Sequence, residues 1–229
     1  MAIWQPLHAE VQVLHRILRF SSYARGLWGT CFVIDVDEEQ YLITAAHLTI
    51  GERFELVILK PIPDAGGEHT KDTHPDHLER IGPLDPKHDV AVFKANDDLA
   101  RRSLTLPASS DQIVIGQEIL TAGFPGNLSM VIPKMGLRSM PLVKRGCMGG
   151  MGEVDGIRVL YLDLIANPGM SGAPVVFRDH EKGVLKVAAV IKGSYTQDPV
   201  PEDGWDHLAA AGISQAHAIE HALEIIASG

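Results

Sequence analysis

The sequence predicts an all-β protein made of two halves, with helices only at its ends. Three observations carry this. Short apolar runs of strand type recur at fairly regular intervals from Gly26 to Lys192. Turns rich in Gly, Pro and Asp separate them, as at Asp37-Glu38-Glu39 and Pro61-Ile62-Pro63-Asp64. Helical spacing of apolar residues is confined to the two termini. Many short strands between turns, with no helices alternating among them, argue for a barrel or sandwich architecture.

The elements follow in order. Leu7, Val11, Leu14 and Leu18 stand at helical spacing and predict a short N-terminal helix in an extension over residues 1–25, giving way to a strand near Ile17. The first half, residues 26–102, begins with a hairpin: Thr30–Val36, an acidic turn, then Gln40–Thr44. Phe54–Leu59 is a further strand. Asp64–Glu79 is polar, with Gly66-Gly67 and three histidines, and reads as a surface loop. Asp89–Lys94 is a strand, and the polar stretch around Pro107 makes residues 103–112 the expected connection between the halves.

The second half, residues 113–213, opens with an apolar strand over Ile113–Leu120 interrupted by Gly116. Further runs follow at Ile119–Ala122, Met140–Lys144, Ile157–Ile165, Val175–Phe177 and Val184–Lys192. Ser214 is placed as the cap of a final helix over residues 214–229. In it Ile219, Ala222, Leu223 and Ile226 form an apolar stripe.

Composition narrows the function classes. The chain has 229 residues, enough for a substantial core in one large domain or two small halves sharing an interface. With 29 acidic against 20 basic residues the net charge is −9, which argues against a nucleic-acid surface. The pairs Arg101-Arg102 and Lys144-Arg145 are too short to make one and read as solvated faces. No apolar run approaches the roughly 20 residues of a membrane span. The first residues lack the basic-then-apolar pattern of a secretory signal. Cys31 and Cys147 make no disulfide framework. A reducing, cytoplasmic setting is the expectation, with no membrane partner.

The chemistry centres on Asn167-Pro168-Gly169-Met170-Ser171-Gly172-Ala173-Pro174. Glycines on either side of Ser171 allow a tight turn that a substrate can approach, and the amides of Gly169 and Ser171 could converge on a developing oxyanion. A serine hydroxyl needs a base, and the base needs a carboxylate to fix its tautomer. Among 11 histidines, His47 stands out because it ends the run Tyr41-Leu42-Ile43-Thr44-Ala45-Ala46, whose small residues leave room for an imidazole at a barrel rim. Among the acids, Asp89 stands at the mouth of the apolar run Val90-Ala91-Val92-Phe93.

Thr44-Ala45-Ala46-His47, Asp89-Val90-Ala91-Val92 and Gly169-Met170-Ser171-Gly172-Ala173-Pro174 resemble the three signature segments of chymotrypsin-fold, trypsin-like serine proteases, in that fold's chain order. The closer resemblance is to the bacterial HtrA/Deg-like protease domain, without a PDZ domain, and it covers residues 26–215. Gly29-Thr30-Cys31-Phe32-Val33-Ile34, Asp85–Val92, Ile115-Gly116-Gln117 to Gly123-Phe124-Pro125-Gly126, and Asp163 to Pro174 carry it. The resemblance implies two antiparallel, six-stranded-type β-barrels and a serine endopeptidase. It implies His47 as general base and then acid, Asp89 as its orienter, and Ser171 as nucleophile. It further implies the Gly169 and Ser171 amides as the oxyanion hole, a peptide or protein substrate, and no cofactor.

Two departures matter. Met170 stands where activated digestive enzymes carry an aspartate, so activation by an N-terminal salt bridge is not implied. Ala173 replaces the more usual glycine. The resemblance puts Ile165 at the floor of the primary specificity pocket and Ile191 to Ser194, with Gly193 and Ser194 foremost, at its wall. An apolar floor disfavours Lys and Arg and implies cleavage after small or medium apolar residues.

Other readings are weaker. An α/β-hydrolase esterase would need alternating helices, and Ala173 breaks its G-x-S-x-G elbow. A binding or scaffold module that stays inactive until a partner protein orders the oxyanion loop is the alternative from another class. His69, His74 and His77 with Asp72 and Asp76 match no strong zinc spacing, so no metal site is expected.

Overall fold

The computed structural model describes residues 17–22, 27–50, 55–59, 70–73, 78–82, 87–96, 98–100, 106–132, 137–196 and 210–229. The N-terminal helix expected before Ile17 and the metal reading on His69, His74 and His77 fall outside these residues.

The first half is a seven-stranded antiparallel sheet in the order β5-β4-β1-β2-β3-β7-β6. Its strands are β1 (Ile17–Ser22), β2 (Leu27–Val36), β3 (Glu39–Ala45), β4 (Glu55–Leu59), β5 (Thr70–Thr73), β6 (Leu78–Ile81) and β7 (Val90–Ala95). The second half is a closed six-stranded barrel, β11-β12-β15-β14-β13-β8. It comprises β8 (Glu118–Gly123), β11 (Leu142–Val154), β12 (Ile157–Asp163), β13 (Pro174–Arg178), β14 (Leu185–Thr196) and β15 (Ala210–Ala218). β9 (Met130–Ile132) and β10 (Leu137–Met140) form a separate two-stranded ribbon, and helix α1 (Glu220–Ser228) ends the chain. The all-β expectation holds. Closure into a six-stranded barrel is met in the second half, whereas the first is the seven-stranded sheet.

β2 explains why its sequence is apolar without alternation. Phe32 and Ile34 face a core between the halves, together with Leu120, Phe124, Val176 and Val190. Cys31 and Val33 face a second core with Leu42, Ala91 and Phe93. Both faces of the strand are buried. The hairpin from β2 to β3 turns through Asp37 and Glu38, both left-handed at φ 48 and 66, which matches the twist of paired strands. The barrel of the second half closes over a third core that contains Ile119, Met148, Leu162, Met170 and Val175.

Several boundaries differ from the sequence reading. Ser214 lies in β15 and caps no helix; α1 starts at Glu220. The Ala-rich stretch before it reads as helix, but β15 pairs with both β12 and β14. Ala216 and Ala218 point into a barrel interior that leaves little room, and both are fully buried. Pairing outweighs local propensity here. The expected apolar stripe does pack, with Ile219 and Ala222 in the core between the halves and Leu223 and Ile226 against it.

The polar stretch read as a loop contains β5, an edge strand of Thr, Lys and Asp that has no apolar face to betray it. The strand expected from Ile113 begins only at Glu118, because Gly116 turns at φ 83 and leaves Val114 and Ile115 on the surface. β11 is 13 residues long and runs through glycines that look like turn signals. Gly146 is needed there, since a Cβ would lie 2.5 Å from the Asp163 carbonyl oxygen.

The turn between β13 and β14 is held by Asp179. Its Oδ1 accepts the amides of Glu181 (2.9 Å) and Lys182 (3.0 Å), and its Oδ2 pairs with Lys186 Nζ at 2.5 Å. The Lys186 ammonium, with the two amides, holds the Asp179 carboxyl at about 2, below the ordinary 3.8. A depressed folded-state pKa means that this contribution to stability is complete above 3.8 and lost as the pH falls through about 2. Asp179→Asn should therefore lower Tm at neutral pH and flatten the fall in Tm on acidification; parallel acid profiles for variant and wild type would contradict this.

Candidate active site

β3 and β7 are antiparallel neighbours whose last register pair is Ala45 with Val90. A residue just after β3 and one just before β7 therefore lie beyond the same end of the sheet. His47 is the first and Asp89 the second. His47 sits in a 3-10 turn, Ala46–Thr49, closed by the Thr49 hydroxyl donating to the Ala46 carbonyl at 2.8 Å. Asp89 adopts a left-handed backbone, φ 42, which aspartate tolerates better than most residues. The Ala46 amide donates to the Asp89 carbonyl at 3.0 Å and the His47 amide to Asp89 Oδ1 at 2.8 Å. His47 Nδ1 lies 2.9 Å from Oδ2 and 3.0 Å from Oδ1. The carboxylate is 6% exposed and the imidazole 39%. A proton on Nδ1 directed at the carboxylate leaves the lone pair on Nε2.

Ser171 comes from the second half, on the loop entering β13. Thr30 of β2 anchors that loop from the first half. Its amide donates to the Ser171 carbonyl at 2.9 Å, and its hydroxyl donates to the Gly169 carbonyl at 2.8 Å while accepting the Phe124 amide at 3.2 Å. On the other side the Gly126 amide donates to the Pro168 carbonyl at 2.7 Å. The glycines are required by close approach. A Cβ on Gly169, φ 96, would lie 2.3 Å from the Phe124 carbonyl oxygen. One on Gly172, φ 81, would lie 2.1 Å from the Thr30 oxygen and 2.9 Å from the Ala45 nitrogen. The loop is thereby pressed against the end of β3, two residues from His47.

Within the loop the amides of Met170, Gly172 and Ala173 donate to Asn167, Ile191 and Met170 carbonyls. Among the described residues the amides of Gly169 and Ser171 have no acceptor. The Ser171 hydroxyl donates to the Lys192 carbonyl at 3.1 Å and makes no hydrogen bond to His47. Met170 is fully buried in the barrel core, with its sulfur against Gly123.

A buried carboxylate–imidazole pair, a serine on a glycine-flanked turn and two unoccupied loop amides form a recognisable set. A family model for the trypsin-like peptidase domain matches residues 29–185, more than half of the chain. The chain belongs to this family. It is a family of serine-protease hydrolases. The fold of this trypsin-like peptidase domain is similar to that of the HtrA-type protease AlgW with a tripeptide, at TM-score 0.66 and 19% identity over 96% of this chain. This chain spans 62% of the AlgW chain. The serine endoprotease from Yersinia pestis gives TM-score 0.62 at 18% identity, covering 98% of this chain and 67% of that one. The inactive form of Rv3671c from M. tuberculosis H37Rv gives 0.61 at 16%, covering 99% and 95%. No curated protein matches the sequence.

The residues expected around the specificity pocket of this trypsin-like peptidase domain are not equivalent. The Ser194 hydroxyl donates to the Ala166 carbonyl at 2.6 Å. The Ser214 hydroxyl accepts the Ala166 amide at 2.8 Å and donates to the Leu164 carbonyl at 2.7 Å. Ala166 is buried, whereas Ile165 is 46% exposed. Gly193 has open space where a Cβ would stand. Sequence reasoning missed two further residues. Lys144 does not belong to a solvated pair: its ammonium donates to the Ile165 carbonyl at 2.5 Å and to Asn167 Oδ1, and burial there lowers its pKa. His217, 3% exposed, donates from Nδ1 to the carbonyl of His88, next to Asp89; burial is the main cause that lowers its pKa. No local signal marks either, because each acts across strands far apart in sequence.

Thr30→Val removes the hydroxyl but keeps the shape. It leaves the Gly169 carbonyl and the Phe124 amide buried without their partner, at about 1–3 kcal/mol each. Urea unfolding should show the midpoint falling accordingly; stability within about 0.5 kcal/mol of wild type would mean that this junction holds nothing.

Proposed function

We propose that this protein is a serine endopeptidase that cleaves peptide bonds through His47, Asp89 and Ser171. The observation that supports it most is the His47–Asp89 pair, doubly hydrogen-bonded and directed by its own backbone amide, beside a serine loop clamped to the same strand ends. In the reaction, Ser171 gives up its contact with the Lys192 carbonyl and turns its hydroxyl toward His47 Nε2. His47 takes the proton as Oγ bonds the substrate carbonyl carbon, and the amides of Gly169 and Ser171 receive the oxyanion. His47 then protonates the leaving amine as the C–N bond breaks. Water hydrolyses the acyl-enzyme by the same steps in reverse. Asp89 stays ionised and steadies the imidazolium.

A peptide bound in AlgW suggests the substrate class, and cleavage after small or medium apolar residues is the preference we propose. Leu164, Ala166, Ser194 and Ser214 bring no carboxylate to the region of the pocket, and both hydroxyls are committed to backbone groups. A buried Lys or Arg there would stay unpaired, at a cost of about 2–5 kcal/mol.

A fluorophosphonate probe should add its mass to Ser171 in wild type and not in Ser171→Ala. Asp89→Asn should lower kcat by about 10⁴-fold, since the amide imposes the wrong tautomer on His47. Turnover of Arg or Lys peptides above Ala, Val or Leu peptides would overturn the specificity. A second reading, a protein inactive until a partner orders the site, is favoured by the Ser171 contact with Lys192. Labelling that appears only when a partner protein is added would establish it.

A further inference from the structure

All eight carbonyls of the segment Leu164–Ser171 accept a hydrogen bond, while its Gly169 and Ser171 amides meet no acceptor among the described residues. The donors are hydroxyls and backbone amides with one exception, the Lys144 ammonium. It bonds the Ile165 carbonyl at 2.5 Å and also Asn167 Oδ1, so it ties two residues across the buried Ala166. Ile165, Asn167 and Pro168 are exposed, which leaves this stretch to be fixed by its polar bonds and by Ala166.

What Lys144 holds is the first residue of a turn. The Met170 amide donates to the Asn167 carbonyl at 2.9 Å, with Pro168 second and Gly169 third at φ 96, the pattern of a type II turn. A type I turn over the same residues would rotate the central peptide by roughly half a turn, because its third residue has a negative φ. In the type II form the Pro168 carbonyl points to the Gly126 amide, 2.7 Å away. The Gly169 N–H of that planar trans peptide points the opposite way. The orientation of one peptide therefore decides whether a substrate oxygen meets the Gly169 donor or the Pro168 carbonyl. Both ties on it come from one strand pair. Lys144 lies in β11 opposite Thr121 of β8, and β8 runs on through Phe124 and Pro125 to Gly126.

Resting on the serine-peptidase reading, we propose that Lys144 is a positioning residue: by holding Ile165 and Asn167 it keeps the Pro168–Gly169 peptide turned so that the Gly169 N–H reaches the oxyanion. It acts through the loop and not by contact with substrate. A cation on the neighbouring strand thus gives the turn the charged tie that Met170 cannot give from within.

The test compares Lys144→Met, which keeps an apolar stem and removes the ammonium, with Lys144→Arg, whose several N–H groups can reach both acceptors. On peptides with a cleavable Ala or Val, Lys144→Met should lower kcat about tenfold to a hundredfold with KM within about twofold, short of the loss of a whole oxyanion donor. A peptide aldehyde puts its oxygen in the same site once Ser171 Oγ adds to its carbonyl carbon, and should lose affinity by the same factor. Peptide affinity for Ser171→Ala, by calorimetry, should not change when Lys144→Met is added. Lys144→Arg should return kcat to within about threefold of wild type. Asn167→Ala removes one acceptor without touching the barrel, and its loss should be non-additive with that of Lys144→Met.

Hydrogen exchange over residues 164–173 reads the turn without chemistry and should quicken in Lys144→Met more than elsewhere in the barrel. Fluorophosphonate labelling of wild-type Ser171, with kcat and aldehyde affinity unmoved in Lys144→Met, overturns the positioning role alone. Weaker peptide affinity with exchange quickened evenly across the barrel marks a merely structural residue and overturns it as well. No labelling of wild type, with exchange still quickened at 164–173 by Lys144→Met, supports the tie on the turn and overturns the peptidase. No labelling and no such change overturns both.

Discussion

Thr30 is where two separately built halves become one site. Its side chain and amide together hold three groups of the second half, the carbonyls of Gly169 and Ser171 and the amide of Phe124. The residue is fully buried, so each of those bonds is made where water cannot substitute. The position of Ser171 relative to His47 is then not a matter of how two bodies happen to dock. It is set by a strand, β2, that pairs with β3, whose end carries His47.

The glycines follow from this junction. Gly172 has φ 81 and lies against Thr30 and Ala45 so closely that no side chain fits. Left-handed backbone and close approach are separate demands, and glycine alone answers both. The loop also does without a charged clamp at Met170. Burial of that side chain in the barrel core and hydrogen bonds to neutral groups hold the turn, while Lys144 secures the preceding residues.

The parts of the site legible in sequence are those whose reason is local. Ala45 and Ala46 before His47 are small and buried, Ala45 against the Gly172 turn and Ala46 with its amide on the Asp89 carbonyl, and the Gly-Met-Ser-Gly turn is pressed against the Thr30 and Ala45 backbone. The apolar runs that mark β3 and β7 are likewise legible, since both strands are buried at consecutive positions. What was illegible depends on partners far away. β15 is an Ala-rich strand that only its two neighbours can specify, and β5 is a polar edge strand paired with β4. Lys144 and His217 look like ordinary surface or helix residues until the barrel brings them to Ile165 and His88.

His217 completes a reciprocity between the halves. The left-handed backbone at Asp89 costs on the order of 1–3 kcal/mol, and something must hold it. The Ala46 amide holds the Asp89 carbonyl from within the first half; the His217 imidazole holds the preceding carbonyl, that of His88, from the second. Burial disfavours the imidazolium at His217, and so does the charge of Lys192, although Asp89 and the hydrogen bond to His88 act in the opposite direction. A neutral ring has one N–H to give, and it is spent on the strained turn. The first half thus fixes the serine of the second through Thr30, while the second fixes the carboxylate of the first through His217. Neither half contains a site alone, because each holds in place the residue that the other supplies.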